Sequence, residues 1–201
     1  MSIVALILAA GNSSRMGEAK QLLPWSQNTL LGNAIDVANN SNIDKTFVVL
    51  GAEAQRIQEK IVSRNCEVIL NENWQEGLGS SISTGISGIV NSEERPDAVL
   101  IMLADQPFID NTYINTLIGH YEANDGKIIA TQYRSKMGVP AIFDKSFFSG
   151  LQKLMGDEGA SSLILKNTDT CFSVDPGKKT TDLDTPEDYA TFKLLKFKNK
   201  T

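Results

Sequence analysis

An unbroken apolar run opens the chain, Ile3-Val4-Ala5-Leu6-Ile7-Leu8-Ala9-Ala10, and gives way at once to Gly11-Asn12-Ser13-Ser14-Arg15. A strand that alternates apolar and polar residues covers one face of a sheet. A strand apolar at every position must be buried on both faces, which is the situation inside a parallel sheet. The run falls well short of the ~20 residues needed to cross a bilayer. No basic residue precedes it, as one would in a secretory signal. It is therefore expected to be a central strand, and the cytoplasm is the expected location.

The remainder of the chain repeats the theme. Further β-type runs occur at Thr46–Leu50, Val68–Leu70, Ala98–Leu103 and Ile128–Thr131, with extended stretches expected around Val139–Phe143 and Cys171–Val174. Helix signals lie between them. In Asn111–Glu122 the apolar residues Ile114, Leu117, Ile118 and Tyr121 recur at helical spacing behind Asp110, an N-cap residue type. Ser81–Val90 carries the stripe Ile82, Ile86, Ile89 and Val90. Thr185-Pro186-Glu187-Asp188 reads as a helix start, a cap followed by Pro and early acids. Its apolar side is expected to carry Tyr189, Phe192 and Leu195.

Strands alternating with helices predict an α/β fold: a three-layer, Rossmann-like, mostly parallel sheet with helices on both faces. With 201 residues and no linker or repeat, residues 1–201 are expected to form a single domain. Lys and Arg number 19 against 24 Asp and Glu, a net charge of −5, which disfavours wrapping of nucleic acid. Two distant cysteines and one histidine leave no disulfide framework, no Cys/His zinc site and no two-histidine mechanism.

Ligands of such sheets bind beyond the carboxyl ends of the strands, so the chemistry is sought in the loops there. Leu8–Lys20 follows the first strand and holds Gly11, Gly17, Arg15 and Lys20. Successive N–H groups in such a turn form an anion nest, Arg15 can fork onto phosphate oxygens, and Lys20 adds a point charge. The alternative is a surface turn with incidental charges. The loop matches neither the dinucleotide fingerprint nor the P-loop ending.

In Asn71–Ser81, glycines and hydroxyls at a helix start suit an anion or a base edge, or else Ser80 or Ser81 is an ordinary cap. Asp105 ends an apolar strand, where its carboxylate would face the crevice and suit a hard cation such as Mg²⁺. The capping role there falls better to Asp110. Asp182 and Asp184 share one side of an extended segment and either complete a metal site with Asp105 or simply sit near a helix N-terminus. Gly138-Val139-Pro140-Ala141 and Gly156-Asp157-Glu158-Gly159-Ala160 either shape an acceptor pocket or are tight turns. His120 is expected at the surface, Trp25 and Trp74 in packing or lid roles, and the lysines from Lys193 to Lys200 in solvent.

Taken together, these blocks resemble the MobA-like nucleotidyltransferases. The resemblance rests on Leu8–Lys20, Lys20-Gln21-Leu22-Leu23-Pro24, Gly77–Gly85, Asp105-Gln106-Pro107, Gly138-Val139-Pro140, Gly156–Ala160 and Asp184-Thr185-Pro186-Glu187-Asp188. They stand in family order and span nearly the whole chain. Gly79–Gly85 together with Gly156–Ala160 is most similar to the molybdenum cofactor cytidylyltransferase branch.

The resemblance implies transfer of a nucleoside monophosphate, CMP from CTP, to the phosphate of a molybdenum–molybdopterin acceptor, with pyrophosphate released. It implies Mg²⁺ as cofactor. Ala9, Ala10, Gly11, Arg15 and Lys20 would hold the triphosphate, and Gly79 and Ser80 would lie near base or ribose. Asp105 and Asp184 would hold the metal, with Asp182 as a less secure neighbour. Arg15, Lys20 and Asp105 would carry the catalysis. A transient meeting with a molybdoenzyme or its maturation chaperone is implied as well. Other readings are a guanylyltransferase or sugar-1-phosphate nucleotidyltransferase, and a non-catalytic nucleotide- or molybdopterin-binding module.

Overall fold

The computed structural model describes residues 1–12, 19–124, 127–177, 179, 185 and 188–191. In chain order it comprises β1 (Ile3–Ala9), a 3-10 turn (Lys20–Leu22), β2 (Pro24–Trp25), β3 (Asn28–Thr29), α1 (Leu30–Asn39), β4 (Lys45–Leu50) and α2 (Ala54–Ile61). Then come β5 (Glu67–Leu70), a second 3-10 turn (Trp74–Glu76), α3 (Leu78–Asn91), β6 (Ala98–Leu103), α4 (Asn111–Glu122) and β7 (Ile128–Gln132). β8 (Met137–Asp144), a 3-10 turn (Lys145–Phe147), α5 (Phe148–Leu151), α6 (Ala160–Lys166), a further 3-10 turn (Thr168–Thr170) and β9 (Cys171–Val174) follow.

Among the described residues one sheet runs in the order β5-β4-β1-β6-β8-β7-β9. β1 lies between β4 and β6, parallel to both. Its expected central position follows from its side chains. Ile3, Ala5, Ile7 and Ala9 enter the core beneath α1, α2 and α4, while Val4, Leu6, Leu8 and Ala10 enter the opposite core beneath α3, α5 and α6. Val4 through Ile7 are fully buried. Each large apolar side chain so buried contributes about 1.5–3 kcal/mol. These two cores, one on each face, make the three layers.

All seven expected strands occur. What the apolar pattern did not carry is direction: β8 runs antiparallel to both β6 and β7. A short turn closed by Tyr133 N–H to Lys136 O at 2.8 Å returns the chain from β7 to β8. Such a hairpin needs no crossover helix.

Asp110 caps α4 as expected, its carboxylate accepting from Tyr113 N–H at 2.9 Å. Ile114, Leu117, Ile118 and Tyr121 are buried. The expected stripe on α3 needs one correction. Ile82, Ile86 and Ile89 are fully buried, but Val90 is 47% exposed. It lies about 100° around the helix from Ile89. The width of the buried face is completed instead by Ser81 and Gly85. A Cβ on Gly85 would fall within 2.8 Å of Leu6 and Val49 side-chain carbons, so glycine lets this helix lie close on the sheet.

Residues 188–191 are helical, and Thr185 opens this turn with a reciprocal cap. Asp188 N–H donates to Thr185 Oγ1 at 3.1 Å, and Thr185 N–H donates to the Asp188 carboxylate at 3.0 Å. Phe192, Leu195 and the terminal lysines lie outside the described residues. Among the described residues no helix is long and apolar enough to cross a membrane.

Candidate active site

The parallel registers bring several strand ends to one rim. Ala9 pairs with Leu50 across β1 and β4, and Leu8 with Leu103 across β1 and β6. Hydrogen bonding continues past the strands: Ala52 N–H donates to Ala10 O at 3.0 Å, Ala104 N–H to Leu8 O at 3.3 Å, and Asn71 N–H to Leu50 O at 2.8 Å. The loops after β1, β4, β5 and β6 therefore start side by side.

At this rim Lys20 Nζ meets Asp105 Oδ2 at 2.8 Å, with the two side chains 12% and 27% exposed. The apolar β6 delivers Asp105 just beyond its last residue, and the 3-10 turn after the first loop delivers Lys20. The cation and acid expected from distant stretches of sequence thus stand together.

Sequence reasoning assigned no role to the next residue. Gln21 is buried, and its Nε2 donates to Ala9 O at 2.9 Å and to Gly11 O at 2.8 Å. The only sequence signal was its place inside the Lys20–Pro24 block. Gly11 itself faces open space, for a Cβ there would meet nothing within 4 Å.

The second expected loop is organised by Asn71, a buried side chain that sequence reasoning also passed over. Its Nδ2 lies 3.0 Å from both Ser80 Oγ and Ser81 Oγ, and its Oδ1 accepts from Asn73 N–H at 3.0 Å. The Ser80 hydroxyl lies 2.9 Å from Gly77 O and 3.0 Å from Asn73 O, so it is engaged with the loop itself. Neither serine is the cap of α3, a position held by Gly77 at φ 107°. Gly79 N–H donates to Gly156 O at 2.8 Å. A Cβ on Gly79 would fall 2.7 Å from Met155 backbone atoms. The Gly77–Gly85 and Gly156–Ala160 blocks therefore abut backbone to backbone. A cavity of about 320 Å³ opens beside this junction, bordered by Glu76, Ser80, Thr84, Lys153 and Met155.

Two more expected blocks meet beside Asp105. Gln106, buried, donates from Nε2 to Tyr133 Oη at 2.8 Å, and the Tyr133 hydroxyl donates to Val139 O. The Tyr113 hydroxyl donates to Thr131 Oγ1 at 2.9 Å, which donates to Pro140 O at 2.6 Å. Burial pushes the Tyr113 phenol up to about 12, so it remains a donor at neutral pH. Gly138, Val139 and Pro140 are thus not a tight turn but the start of strand β8, and Gln106 and Tyr133 tie that strand to the Asp105-Gln106-Pro107 segment.

Trp25, 1% exposed, packs edge-on to Phe108 with ring centroids 5.5 Å apart. Tyr189 joins that cluster and donates its hydroxyl to Pro24 O. This is a packing role for Trp25. His120 is exposed on α4, as expected. Burial raises both cysteine thiols, Cys66 and Cys171, above their ordinary range, which disfavours the nucleophilic thiolate. Arg15, Asp182 and Asp184 lie outside the described residues.

The Rossmann-like sheet is shared with a nucleotidyl transferase from Methanothermobacter thermautotroptrophicus, which superposes with a TM-score of 0.83 at 19% identity, covering 98% of this chain and 99% of that one. The model of the MobA-like NTP transferase domain matches residues 5–171, and the chain belongs to that family. It is 26% identical to nicotine blue oxidoreductase of Paenarthrobacter nicotinovorans, over 92% of this chain and 93% of that one. It is 23% identical to molybdenum cofactor cytidylyltransferase of Escherichia coli, over 96% of both chains. The crystal structure of Rv0371c from Mycobacterium tuberculosis superposes with a TM-score of 0.82 at 28% identity, covering 96% of this chain and 98% of that one. That protein is also known in complex with manganese, with a TM-score of 0.77 at 27% identity, covering 95% of this chain and 97% of that one.

Proposed function

We propose that this protein transfers CMP from CTP to the phosphate of a molybdopterin-type acceptor carrying molybdenum and releases pyrophosphate. The observation that carries this reading is the Lys20–Asp105 pair at the strand rim. The full-length match to the Escherichia coli cytidylyltransferase supports it. A relative named as an oxidoreductase belongs to the same set, so membership alone does not decide the reaction.

Two anionic reactants repel each other, and the enzyme must place positive charge where they meet. Lys20 supplies one such charge, and Arg15 supplies a second on the sequence reading. Backbone N–H groups after Ala9 supply neutral donors to the phosphates. An oxygen of the acceptor phosphate forms a new bond to the α-phosphorus. The bond from that phosphorus to the bridging oxygen breaks, and the electron pair leaves with pyrophosphate. The acceptor phosphate is already ionised near neutrality, its second pKa being about 6, so no histidine base is required. An exposed His120 on α4 is consistent with that. Catalysis then rests on alignment and electrostatics.

Asp105 suits one ligand position of a magnesium ion, and among the described residues no group of three or more acidic, histidine or cysteine side chains forms a site by itself. Asp105 offers hard carboxylate oxygens and already holds a cation in the form of the Lys20 ammonium. Mg²⁺ commonly uses one or two carboxylates and completes its shell with substrate phosphates and water. Asp105 would hold it, joined by Asp184 on the sequence reading. When bound, the ion would offset triphosphate charge. The ammonium it replaced at Asp105 would be left for the phosphates.

Incubation of the protein with Mg²⁺, each of the four nucleoside triphosphates and molybdenum–molybdopterin tests the reading. Pyrophosphate release that requires both CTP and the acceptor is expected. Preference for GTP, or for a sugar 1-phosphate, would move the assignment within the family. Tight CTP binding without turnover would make the protein a binding module.

A further inference from the structure

The first loop begins at Gly11 and ends in the turn that carries Lys20, and one side chain joins these two points. Gln21 Nε2 donates to Ala9 O at 2.9 Å and to Gly11 O at 2.8 Å. Between them, Ala10 O is taken by Ala52 N–H at 3.0 Å. The carbonyls of Ala9, Ala10 and Gly11 are therefore all held on the protein side. In a planar trans peptide the carbonyl and the following N–H point in opposite directions. Fixing Ala9 O and Gly11 O consequently turns Ala10 N–H and Asn12 N–H away from Gln21. A flipped peptide would aim a carbonyl dipole the other way and repel an anion.

Resting on the nucleotidyltransferase reading, we infer that Gln21 is a positioning residue for the triphosphate. It ties Ala9 O and Gly11 O to the turn that carries Lys20 and fixes which way the peptides after Ala9 and Gly11 face. It touches neither substrate nor metal. Lys20 and Gln21 are adjacent in a 3-10 turn, where successive residues point about 120° apart. One reaches Asp105 while the other reaches back to β1, so a single turn sets the register between the loop backbone and the Lys20 charge. Donors whose direction is already fixed spare a ligand the ordering cost that free peptides would impose.

Gln21→Met preserves length and approximate volume but removes both donors. Calorimetric CTP affinity is expected to fall about ten- to thirtyfold on loss of both donors. Calorimetric titration with CTP–Mg²⁺ and with CMP should show that loss for CTP and little change for CMP. Melting temperature will fall in either case, because buried carbonyls lose their donors, so it is the triphosphate-to-monophosphate ratio that separates positioning from bulk stability. Gln21→Asn, too short to span both carbonyls, should reproduce the change in that ratio. Equal weakening of CTP and CMP, or weakening of neither, overturns the role for Gln21 while leaving the reading of the site intact. A wild-type protein that does not favour CTP over CMP overturns both. Should neither variant fold, exchange of the Gln21 side-chain amide protons in the wild type decides: CTP–Mg²⁺ must slow it more than CMP, and equal rates refute the inference.

Discussion

Lys20 Nζ and Asp105 Oδ2 stand 2.8 Å apart at the carboxyl rim of the sheet, each largely withdrawn from solvent and each serving as the other's counter-ion. Asp105 is thus paired with a cation, and a divalent ion must compete with Lys20 for it. Lys20→Met is expected to shift two affinities in opposite directions. Free-protein Mn²⁺ binding, followed by electron paramagnetic resonance, should tighten about two- to fivefold, the scale of a partly exposed ion pair. CTP binding should weaken, and turnover should fall roughly 10²–10³-fold, as for loss of one preorganised donor. Unchanged Mn²⁺ affinity would remove the competition.

Asp105→Asn keeps the shape of the side chain and loses its charge. Turnover should fall at least as far as in the Lys20 variant, and raising Mg²⁺ should not restore it. Wild-type turnover at saturating magnesium would reject a metal role for Asp105.

The resemblance to the family sets Asp184 before Asp182 at the metal, and guanidinium chemistry sets Arg15 apart from a lysine. Asp184→Asn should depress kcat more than Asp182→Asn. Arg15→Lys should raise the KM for CTP, because an ammonium cannot reproduce a bidentate guanidinium fork. Steady-state kinetics on the three variants checks both statements, and equal defects at 182 and 184 would undo the ranking.

Gly79→Ala places a methyl 2.7 Å from the Met155 backbone, which cannot swing aside as a side-chain tip would. The loop at 155–158 must move or α3 must lift. Overpacking of this kind costs about 1–3 kcal/mol. Denaturant titration should register that loss, and retained stability with full turnover would show that the two loops do not need their close approach.

Away from the site, Asp97 accepts from Lys145 Nζ at 2.7 Å and from Ser2 N–H at 3.1 Å, and the lysine first, then the backbone donor, holds its carboxyl below the ordinary range. A depressed folded pKa gives stability that is present above the unfolded value, about 3.9, and is lost as pH falls through the lower folded value. Asp97→Asn should therefore flatten the drop in melting temperature below about pH 4. An unaltered acid slope would show that the pair carries none of it.

Much of this molecule is legible in one dimension because burial leaves periodic marks. The continuous apolar run of β1 dictated a strand covered on both sides, and Asp110 with its helical stripe marked α4 to the residue. Asp105 was legible as chemistry because a carboxylate at the end of an apolar strand has no packing reason to be there, and Lys20 because it stands with Arg15 in the glycine-bearing stretch that follows the first strand. Gln21, Asn71 and Gln106 were not, because an amide that satisfies backbone or hydroxyl partners across the fold looks in sequence like any surface amide.

What the amino-acid order by itself determined is therefore the class of fold, the strands and the residue types available for phosphate and metal chemistry. Only the tertiary structure decided that β8 runs against its neighbours, that Val90 faces solvent, and that Lys20 closes on Asp105. The reason is physical: periodicity and composition are local properties of the chain. Strand direction, side-chain pairing and the capture of a buried carbonyl depend on which distant segments the folded core brings within 3 Å of one another.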